Sequence, residues 1–317
     1  MNAETRPEPD PLWTRAPERG SRGWLRFGLW VYRVLGRRCV YVLLYPVAAY
    51  FFLVDGAARR ASRQYLRRLY ETREGAISLG RAPTAGDSFR HMLSFARSLY
   101  DRVSVGLGGE DLYEFRYSGD EHLRKLVETR RGAILLGSHL GSFDMLRVLA
   151  RRHRVTINIV MFTRNAARIQ SVLRAIDPRV DLHVINMDGG SLSSTFEIRK
   201  RLQRGELVGI LGDRVPPHGA RAAEPARFLG HDAEFARGPF EIATLLGVPI
   251  LMTTGVRVGP ATYEVTAAPL YGGERIPRRE RADRISALVS DYAAWLEAWC
   301  KREPLQWFNF YDFWGGA

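Results

Sequence analysis

The stretch AILLGSHLGSFDMLRVLA, residues 133–150, indicates how this chain folds. Residues 132–137 form a short apolar run of the kind that makes a buried strand, and residues 142–152 have the composition of a helix. His139 lies in the turn between them, and Ser142 is placed to cap the helix. The segment therefore predicts a strand, a turn and a helix, with a histidine at the carboxyl end of the strand.

Helices and strands alternate on both sides of this segment. Strands are predicted over residues 112–118, 132–137, 155–162, 181–185, 206–211, 249–257 and 262–267. Helices are predicted over residues 56–75, 86–104, 120–130, 142–152, 165–175, 191–204, 238–246 and 280–302, with a loop over 212–225. Such alternation favours an α/β fold with a mostly parallel central sheet flanked by helices.

The N-terminal residues differ in composition from the rest. Residues 1–23 are rich in Pro, Arg and Glu and predict a disordered basic lead-in. Residues 40–54, VYVLLYPVAAYFFLV, carry no charge. A spanning helix needs about 20 apolar residues, and Pro46 interrupts this run. We therefore predict a broken, membrane-associated helical hairpin over residues 24–55. The alternatives are a full span and a buried helix with a solvated arginine face.

The net charge of +13 favours anionic partners, namely nucleic acid, anionic lipid or an acidic protein. Residues 1–70 hold 13 Arg and 5 acidic residues, so the excess is concentrated beside the apolar run. Only three of the 47 basic residues are lysine, and no named nucleic-acid motif occurs. The sequence thus favours anionic lipids and an acidic protein as partners, and no nucleic acid.

The sequence does not contain the motifs that several classes of metal site and enzyme require. The two cysteines form no CxxC pair, and no histidine outside the quoted segment has partners at metal-ligand spacing. HExxH, Walker A and GxSxG patterns do not occur in the sequence. We therefore predict no metal site of these kinds and no serine hydrolase.

His139 is the leading catalytic candidate, because ligands of open α/β sheets bind at the carboxyl ends of strands. Asp144 follows five residues later and can accept a hydrogen bond from one imidazole nitrogen, which raises the basicity of the other nitrogen. Gly141 allows the backbone to approach a reacting carbonyl. The competing interpretation of His139 is a histidine that merely satisfies its hydrogen bonds in the core.

The block GSHLGSFD, residues 137–144, resembles the first block of the glycerolipid acyltransferase superfamily, with its H-x4-D motif. MFTRN (161–165), a GDR loop (212–214) and GPFEIATLLGVPI (238–250) follow in order. This layout, including the basic N-terminal segment, is similar to the bacterial lipid A biosynthesis late acyltransferases, the lauroyl and myristoyl transferases. The resemblance covers roughly residues 24–310 and implies an acyltransferase domain over residues 56–317.

The resemblance implies a membrane-associated acyltransferase at the cytoplasmic face of the bacterial inner membrane. Its donor would be the thioester of an acyl carrier protein, and its acceptor a hydroxyl or amine of a lipid or glycolipid. His139 would act as general base and Asp144 would orient it, with neither metal nor cofactor. An acyl-thioester hydrolase on the same site and a non-enzymatic basic protein that binds membrane or nucleic acid are the alternatives.

Four further residues are predicted to bind substrate. By the resemblance, Arg164 would bind a phosphate; the alternative is a solvated residue at a helix start. Asp213 and Arg214 follow a predicted strand, where they would bind the acceptor or pair with each other. Gly141 would shape the approach to the reacting carbonyl.

The C-terminal block PLQWFNFYDFW, residues 304–314, is rich in aromatic side chains. It is predicted to pack over the sheet, with the wall of an acyl channel as the alternative. Its sequence resembles a subgroup of the family associated with aryl-polyene-type lipid clusters.

Overall fold

A seven-stranded sheet lies at the centre of the computed structural model, which describes residues 39–106, 109–145, 148, 152–161, 183–186, 192–216 and 222–315. The described strands are β1 (Glu114–Ser118), β2 (Ala133–Gly137), β3 (Ile157–Met161), β4 (His183–Asn186), β5 (Leu207–Leu211), β6 (Ala223–Phe228), β7 (His231–Ala236), β8 (Ile250–Arg257) and β9 (Thr262–Tyr271). The central sheet has the order β1-β9-β8-β2-β5-β3-β4. All its neighbouring pairs are parallel except β8 and β9. The predicted α/β fold with a mostly parallel sheet is confirmed.

Eight helices accompany the sheet in the described part of the chain. They are α1 (Cys39–Val54), α2 (Gly56–Glu71), α3 (Arg73–Leu79), α4 (Ala85–Gly106), α5 (Asp120–Glu128), α6 (Leu192–Gln203), α7 (Gly238–Leu246) and α8 (Arg281–Arg302). Short 3-10 turns cover Glu110–Leu112 and Phe143–Met145.

The central strands are buried on both faces, as expected for parallel strands covered by helices. Along β2, Ile134 and Leu136 pack into one apolar cluster together with residues of α7 and α8. Ala133 and Leu135 point the other way, into a second cluster that includes residues of α5. This two-sided burial explains why the strand is an unbroken apolar run in the sequence.

Two predicted elements are corrected by the structure. The helix predicted over residues 56–75 is broken at Thr72, whose hydroxyl accepts from the N–H of Gly75 and so caps a new helix, α3. The loop predicted over residues 212–225 ends early, because Ala223 already begins β6. The two-residue turn between β6 and β7 uses positive φ at Leu229 and Gly230, as a tight hairpin requires.

Several other predicted elements lie partly or wholly outside the described residues. The helix predicted over residues 142–152 begins with the 3-10 turn Phe143–Met145, and its continuation is described only in part. The predicted lead-in (1–23), the first part of the predicted hairpin (24–38) and the predicted helix over residues 165–175 lie outside the described residues.

Helix α1 packs on α4 through one face and exposes apolar side chains on the other. Tyr45 and Phe52 contact Phe89 of α4, and Ala48 is buried. The large apolar side chains exposed on this helix are Val42, Leu43, Tyr45, Val47, Tyr50, Phe51, Leu53 and Val54. No single helix in the described residues is long and apolar enough to cross a membrane, whereas α1 and α2, bent by 96° at their junction, meet that test together. The membrane association of this segment stays a prediction.

A buried carboxylate holds α1 to the domain. Asp101 of α4 is fully buried and accepts hydrogen bonds from three tyrosine hydroxyls. Tyr41 of α1 donates at 2.6 Å, Tyr113 before β1 at 3.0 Å, and Tyr263 of β9 at 2.6 Å. A buried charge needs such donors to offset the loss of hydration. Asp101 thus joins α1, α4 and the edge of the sheet.

Substitution of Asp101 by alanine should lower the free energy of unfolding by about 3 kcal/mol, because three tyrosine hydroxyls, two of them buried, lose their acceptor. Chemical denaturation of the full chain in detergent measures this loss. Asp111→Ala is the matched control, since Asp111 is exposed, and its unfolding midpoint should stay at the wild-type value. Equal midpoints for the two variants would contradict the role assigned to Asp101.

Candidate functional site

His139 and Asp213 come together because their strands are neighbours. β2 and β5 pair in parallel, with Gly137 opposite Leu211 at their carboxyl ends. His139 and Asp213 each follow two residues after those paired positions. The Nδ1 of His139 lies 2.8 Å from Oδ1 of Asp213, and the backbone N–H of His139 donates to Oδ2 at 2.8 Å. The carboxylate therefore holds both the ring and the backbone of the histidine.

Two side chains of the C-terminal block, residues 304–314, also donate hydrogen bonds to Asp213. Trp307 Nε1 donates to Oδ2 at 3.0 Å, and Asn309 Nδ2 donates to the same oxygen at 3.2 Å. The Asp213 side chain is 0% exposed, whereas the His139 side chain is 25% exposed. The pair thus has a fully buried acid and a base that reaches the surface.

The charges of the pair follow from these contacts. Burial raises the pKa of Asp213, but His139, Arg214 and the hydrogen bonds outweigh it and bring this pKa to about 2. Asp213 is therefore ionised at neutral pH and can only accept. Burial first, and then Arg214, lowers the pKa of His139 below its ordinary value, although Asp213 opposes this shift. The lowered pKa favours the neutral ring of His139, and the ionised Asp213 favours the tautomer with the proton on Nδ1.

Nε2 of His139 is the nitrogen that this arrangement leaves able to accept a proton. With Nδ1–H donating to an ionised carboxylate, the lone pair of the neutral ring lies on Nε2. No group of the described residues makes a hydrogen bond to Nε2. The ring is thus oriented as a general base that can take a proton from a molecule at the protein surface.

Residues 306–309 run beside the His139 turn and fix its backbone. The N–H of Phe308 donates to the carbonyl of His139 at 2.8 Å, and the N–H of Gly141 donates to the carbonyl of Gln306 at 2.8 Å. The carbonyl of Trp307 lies 2.9 Å from Nε2 of His91. Burial lowers the pKa of His91 to about 4, so its ring stays neutral. The predicted packing role of the C-terminal block is confirmed, since Trp307, Phe313 and Trp314 belong to the core.

Gly141 is required by close packing of the backbone. Its φ is +65°, and a Cβ at this position would collide with the carbonyl oxygen of Gly255. Because its N–H is occupied by Gln306, this group is not free to contact a substrate oxygen in this conformation. The predicted part of Gly141 in substrate binding stays a prediction.

Arg214 contacts the C-terminal segment. Its Nε donates to Oδ1 of Asn309 at 2.7 Å, and its guanidinium lies 5.4 Å from the centre of the Tyr311 ring. Since Asn309 also donates to Asp213, the amide side chain joins the two residues of the GDR loop. Binding of an acceptor by Asp213 or Arg214 stays a prediction.

The structure describes the other two predicted site residues, Asp144 and Arg164, only in part or not at all. Asp144 lies in the turn Phe143–Met145, but its side chain is outside the described residues, as is Arg164. Sequence reasoning did not identify Trp307, Asn309 and His91 as neighbours of the site. In the sequence, Trp307 and Asn309 stand out only as part of the aromatic C-terminal block. Nothing in their spacing from His139 signals contact.

No group of three or more His, Cys, Asp or Glu side chains in the described ranges is arranged to hold a metal ion.

Comparison with known proteins adds the identity of the family. The family model of the bacterial lipid A biosynthesis acyltransferases matches residues 97–315. The chain belongs to this family. No curated protein matches it. The matched region contains β2, β5, the His139–Asp213 pair and the C-terminal segment, so the protein is a lipid acyltransferase.

Replacement of Asp213 by asparagine should lower the pKa of His139 further, because the carboxylate raises this pKa and Arg214 lowers it. Titration of the histidine ring resonances by NMR, in the full chain in detergent, measures the shift. Asp232→Asn is the control: it makes the same substitution at an exposed aspartate outside the site, so the pKa of His139 should stay near the wild-type value. An unchanged or raised pKa in Asp213→Asn would contradict the electrostatic role of Asp213.

Proposed function

We propose that this acyltransferase moves a fatty acyl chain from an acyl carrier protein thioester to a hydroxyl or amine of a lipid or glycolipid acceptor. The observation that carries the proposal is the His139–Asp213 contact of 2.8 Å, in a member of the lipid A acyltransferase family. The contact leaves the Nε2 lone pair of a neutral ring at the protein surface. That is the property a general base needs.

The proposed reaction moves one proton in two steps. Nε2 of His139 takes the proton of the acceptor hydroxyl while the oxygen attacks the thioester carbonyl. The tetrahedral intermediate then collapses, the C–S bond breaks, and the imidazolium returns the proton to the leaving thiolate. The products are the acyl ester and the free thiol of the carrier. This route uses no metal and no cofactor.

Asp213 is the positioning residue in this proposal. Its carboxylate fixes the Nδ1 tautomer and stabilises the imidazolium that forms during transfer. Asp144 remains the second candidate for that task, on the resemblance of the H-x4-D block alone. Arg164 is proposed to bind a phosphate on the resemblance of the MFTRN block, and Gly141 is proposed to let the backbone approach a reacting carbonyl. Arg214 is proposed to stabilise the Asn309 amide and, through it, the carboxylate of Asp213.

The partners are proposed from charge and surface. The net charge of +13 suits an acidic carrier protein and anionic lipids. The exposed apolar side chains of α1 suit the interface of the cytoplasmic face of the inner membrane. Bound there, α1 would keep the catalytic domain close to a lipid acceptor.

The rate of acyl transfer should depend on the protonation of His139. The base works only when neutral, so kcat/KM should fall as the pH falls through its pKa. Because burial and Arg214 lower that pKa, the midpoint should lie below the ordinary histidine value of about 6.5. A pH–rate profile with a carrier-linked substrate measures it. A midpoint at or above the ordinary value would contradict the assignment.

His139→Ala should remove nearly all turnover, by a factor of about 10³ or more, since general-base catalysis and its coupled contacts are lost together. Mass spectrometry of total lipids should show an acyl-sized mass increase on one lipid in cells making the wild-type chain and none with His139→Ala at equal abundance. His122→Ala, outside the site, is the control and should behave as wild type.

Comparison of the wild-type chain with His139→Ala also distinguishes the acyltransferase from the alternative functions. If a purified sample releases free fatty acid from the carrier in a His139-dependent manner and no lipid gains mass, the chain is a thioester hydrolase. If His139→Ala behaves as wild type in both assays, the proposed mechanism is wrong.

A further inference from the structure

A second buried histidine lies behind the C-terminal block and takes no part in the chemistry proposed above. His91 of α4 is 0% exposed. The centres of the Tyr65, Phe308 and Phe310 rings lie 5.5, 6.0 and 4.7 Å from the centre of its ring. An apolar ring would serve such packing equally well, whereas an imidazole loses its hydration on burial. A polar ring at this position is therefore tolerated through its hydrogen bonds.

Both ring nitrogens of His91 have partners, and these partners determine its tautomer. Nε2 lies 2.9 Å from the carbonyl oxygen of Trp307. Because a carbonyl oxygen only accepts, Nε2 carries the proton and donates. Nδ1 then has the lone pair, and it accepts from the hydroxyl of Ser62 on α2 at 3.1 Å. His91 thus directs one N–H at the backbone of Trp307.

Trp307 connects His91 to the acid of the candidate site. Its indole Nε1–H donates to Oδ2 of Asp213 at 3.0 Å. Its carbonyl accepts from His91 and also from the N–H of Asn309 at 3.0 Å, a local contact within the C-terminal block. The bond from His91 is the one that ties this carbonyl to a helix. The place of the Trp307 backbone, and with it the direction of the indole, therefore depends on His91.

We propose that His91 is a positioning residue of the acyltransferase, whose Nε2–H holds the Trp307 carbonyl so that the indole N–H stays on Asp213. The inference rests on the proposed function, in which Asp213 orients the base His139. The indole is one of two side-chain donors that the C-terminal block gives to Asp213. His91 acts on the base through Trp307 and Asp213 and does not itself touch substrate.

Loss of the indole donor should strengthen the attraction between Asp213 and the ring of His139. A carboxylate that gives up one hydrogen bond keeps more negative charge for its remaining donors. Asp213 raises the pKa of His139, so this pKa should rise in a variant that lacks the His91 donor. Because the base works when neutral, the acid limb of the pH–rate profile should then move to higher pH.

The His91 ring carries no charge in the range where this change is measured. Burial lowers the pKa of His91 to about 4. Four other ionisable groups of the described residues act on Asp213 or His139, namely Arg214, Tyr292, Tyr311 and Cys300. Burial raises the pKa of the two tyrosines and of the thiol, so these three are neutral as well. A shift in the His139 pKa would therefore reflect a changed hydrogen bond and not a deleted charge.

Titration of the His139 ring by NMR, in the full chain in detergent, tests the proposal. His91→Leu removes the donor and should raise the pKa of His139 by about half a unit. His91→Gln keeps an N–H donor and should stay near the wild-type value. His153→Leu is the matched control. It removes a histidine that contacts Asp120 at the amino end of β3, and the pKa of His139 should not change.

The pH profile of turnover provides a second readout. Release of thiol from dodecanoyl-acyl carrier protein is followed with total bacterial lipid as the acyl acceptor. A shift of half a unit in His91→Leu lowers kcat/KM about threefold on the acid limb and leaves the alkaline plateau nearer to wild type. If His91 were merely structural, kcat/KM would fall by one factor at every pH with the wild-type midpoint, and the proposal would be overturned.

Trp307→Phe tests the path from His91 to Asp213. It removes the indole N–H and keeps an aromatic ring, so the pKa of His139 should rise as it does in His91→Leu. Because His91 acts through Trp307, the double variant should show no further shift. Shifts that add would overturn the proposal, since His91 would then act by another route.

Thermal unfolding establishes which variants are folded. A wild-type pKa of His139 in folded Trp307→Phe overturns the proposal even if His91→Leu does not fold. A shift in His91→Gln as large as that in His91→Leu overturns it as well. The NMR titration needs no turnover. If the pKa of His139 moves as expected while turnover does not depend on His139, the acyl-transfer mechanism fails and the positioning of His139 by His91 is supported.

Discussion

The buried carboxylate of Asp213 is the constraint on which the site depends. An ionised carboxylate without water costs several kcal/mol unless donors surround it. Asp213 receives four hydrogen bonds, two from His139 and one each from Trp307 and Asn309. These donors belong to segments that follow β2 and α8. The packing of the C-terminal block over the sheet and the ionised state of Asp213 therefore depend on the same hydrogen bonds.

The same carboxylate also influences the protonation of His139. The ionised acid holds the proton on Nδ1 of His139, while burial and Arg214 keep the ring neutral. Asp213 orients the ring and raises its pKa, whereas burial and Arg214 lower that pKa. The backbone is equally constrained, because Gly141 passes too close to Gly255 for any side chain to fit.

The outer helices α1 and α2 are anchored to the domain but expose apolar side chains and arginines. α1 is fixed to the domain by the Tyr41–Asp101 contact while it exposes apolar side chains on its other face. Next to it, α2 presents unpaired arginines above the N-terminus of α4. An apolar face beside cationic groups is the pattern expected of a surface that meets a membrane interface, where both features gain from the same environment.

The sequence alone determined the local features: the apolar run of β2, the histidine at its carboxyl end, the mostly parallel α/β class and an order of sequence blocks that indicates the family. These depend on neighbouring residues, so a contiguous stretch contains them. The hairpin β6–β7 is not predicted from the sequence: its first three residues fall in the predicted loop over 212–225, and residues 226–237 are assigned to no element. Only the tertiary structure decided that Asp213, 74 residues from His139, contacts the ring, and that Trp307 and Asn309 complete its surroundings. The reason is that these contacts arise from strand order and register, which bring distant residues together and leave no periodic trace in the chain.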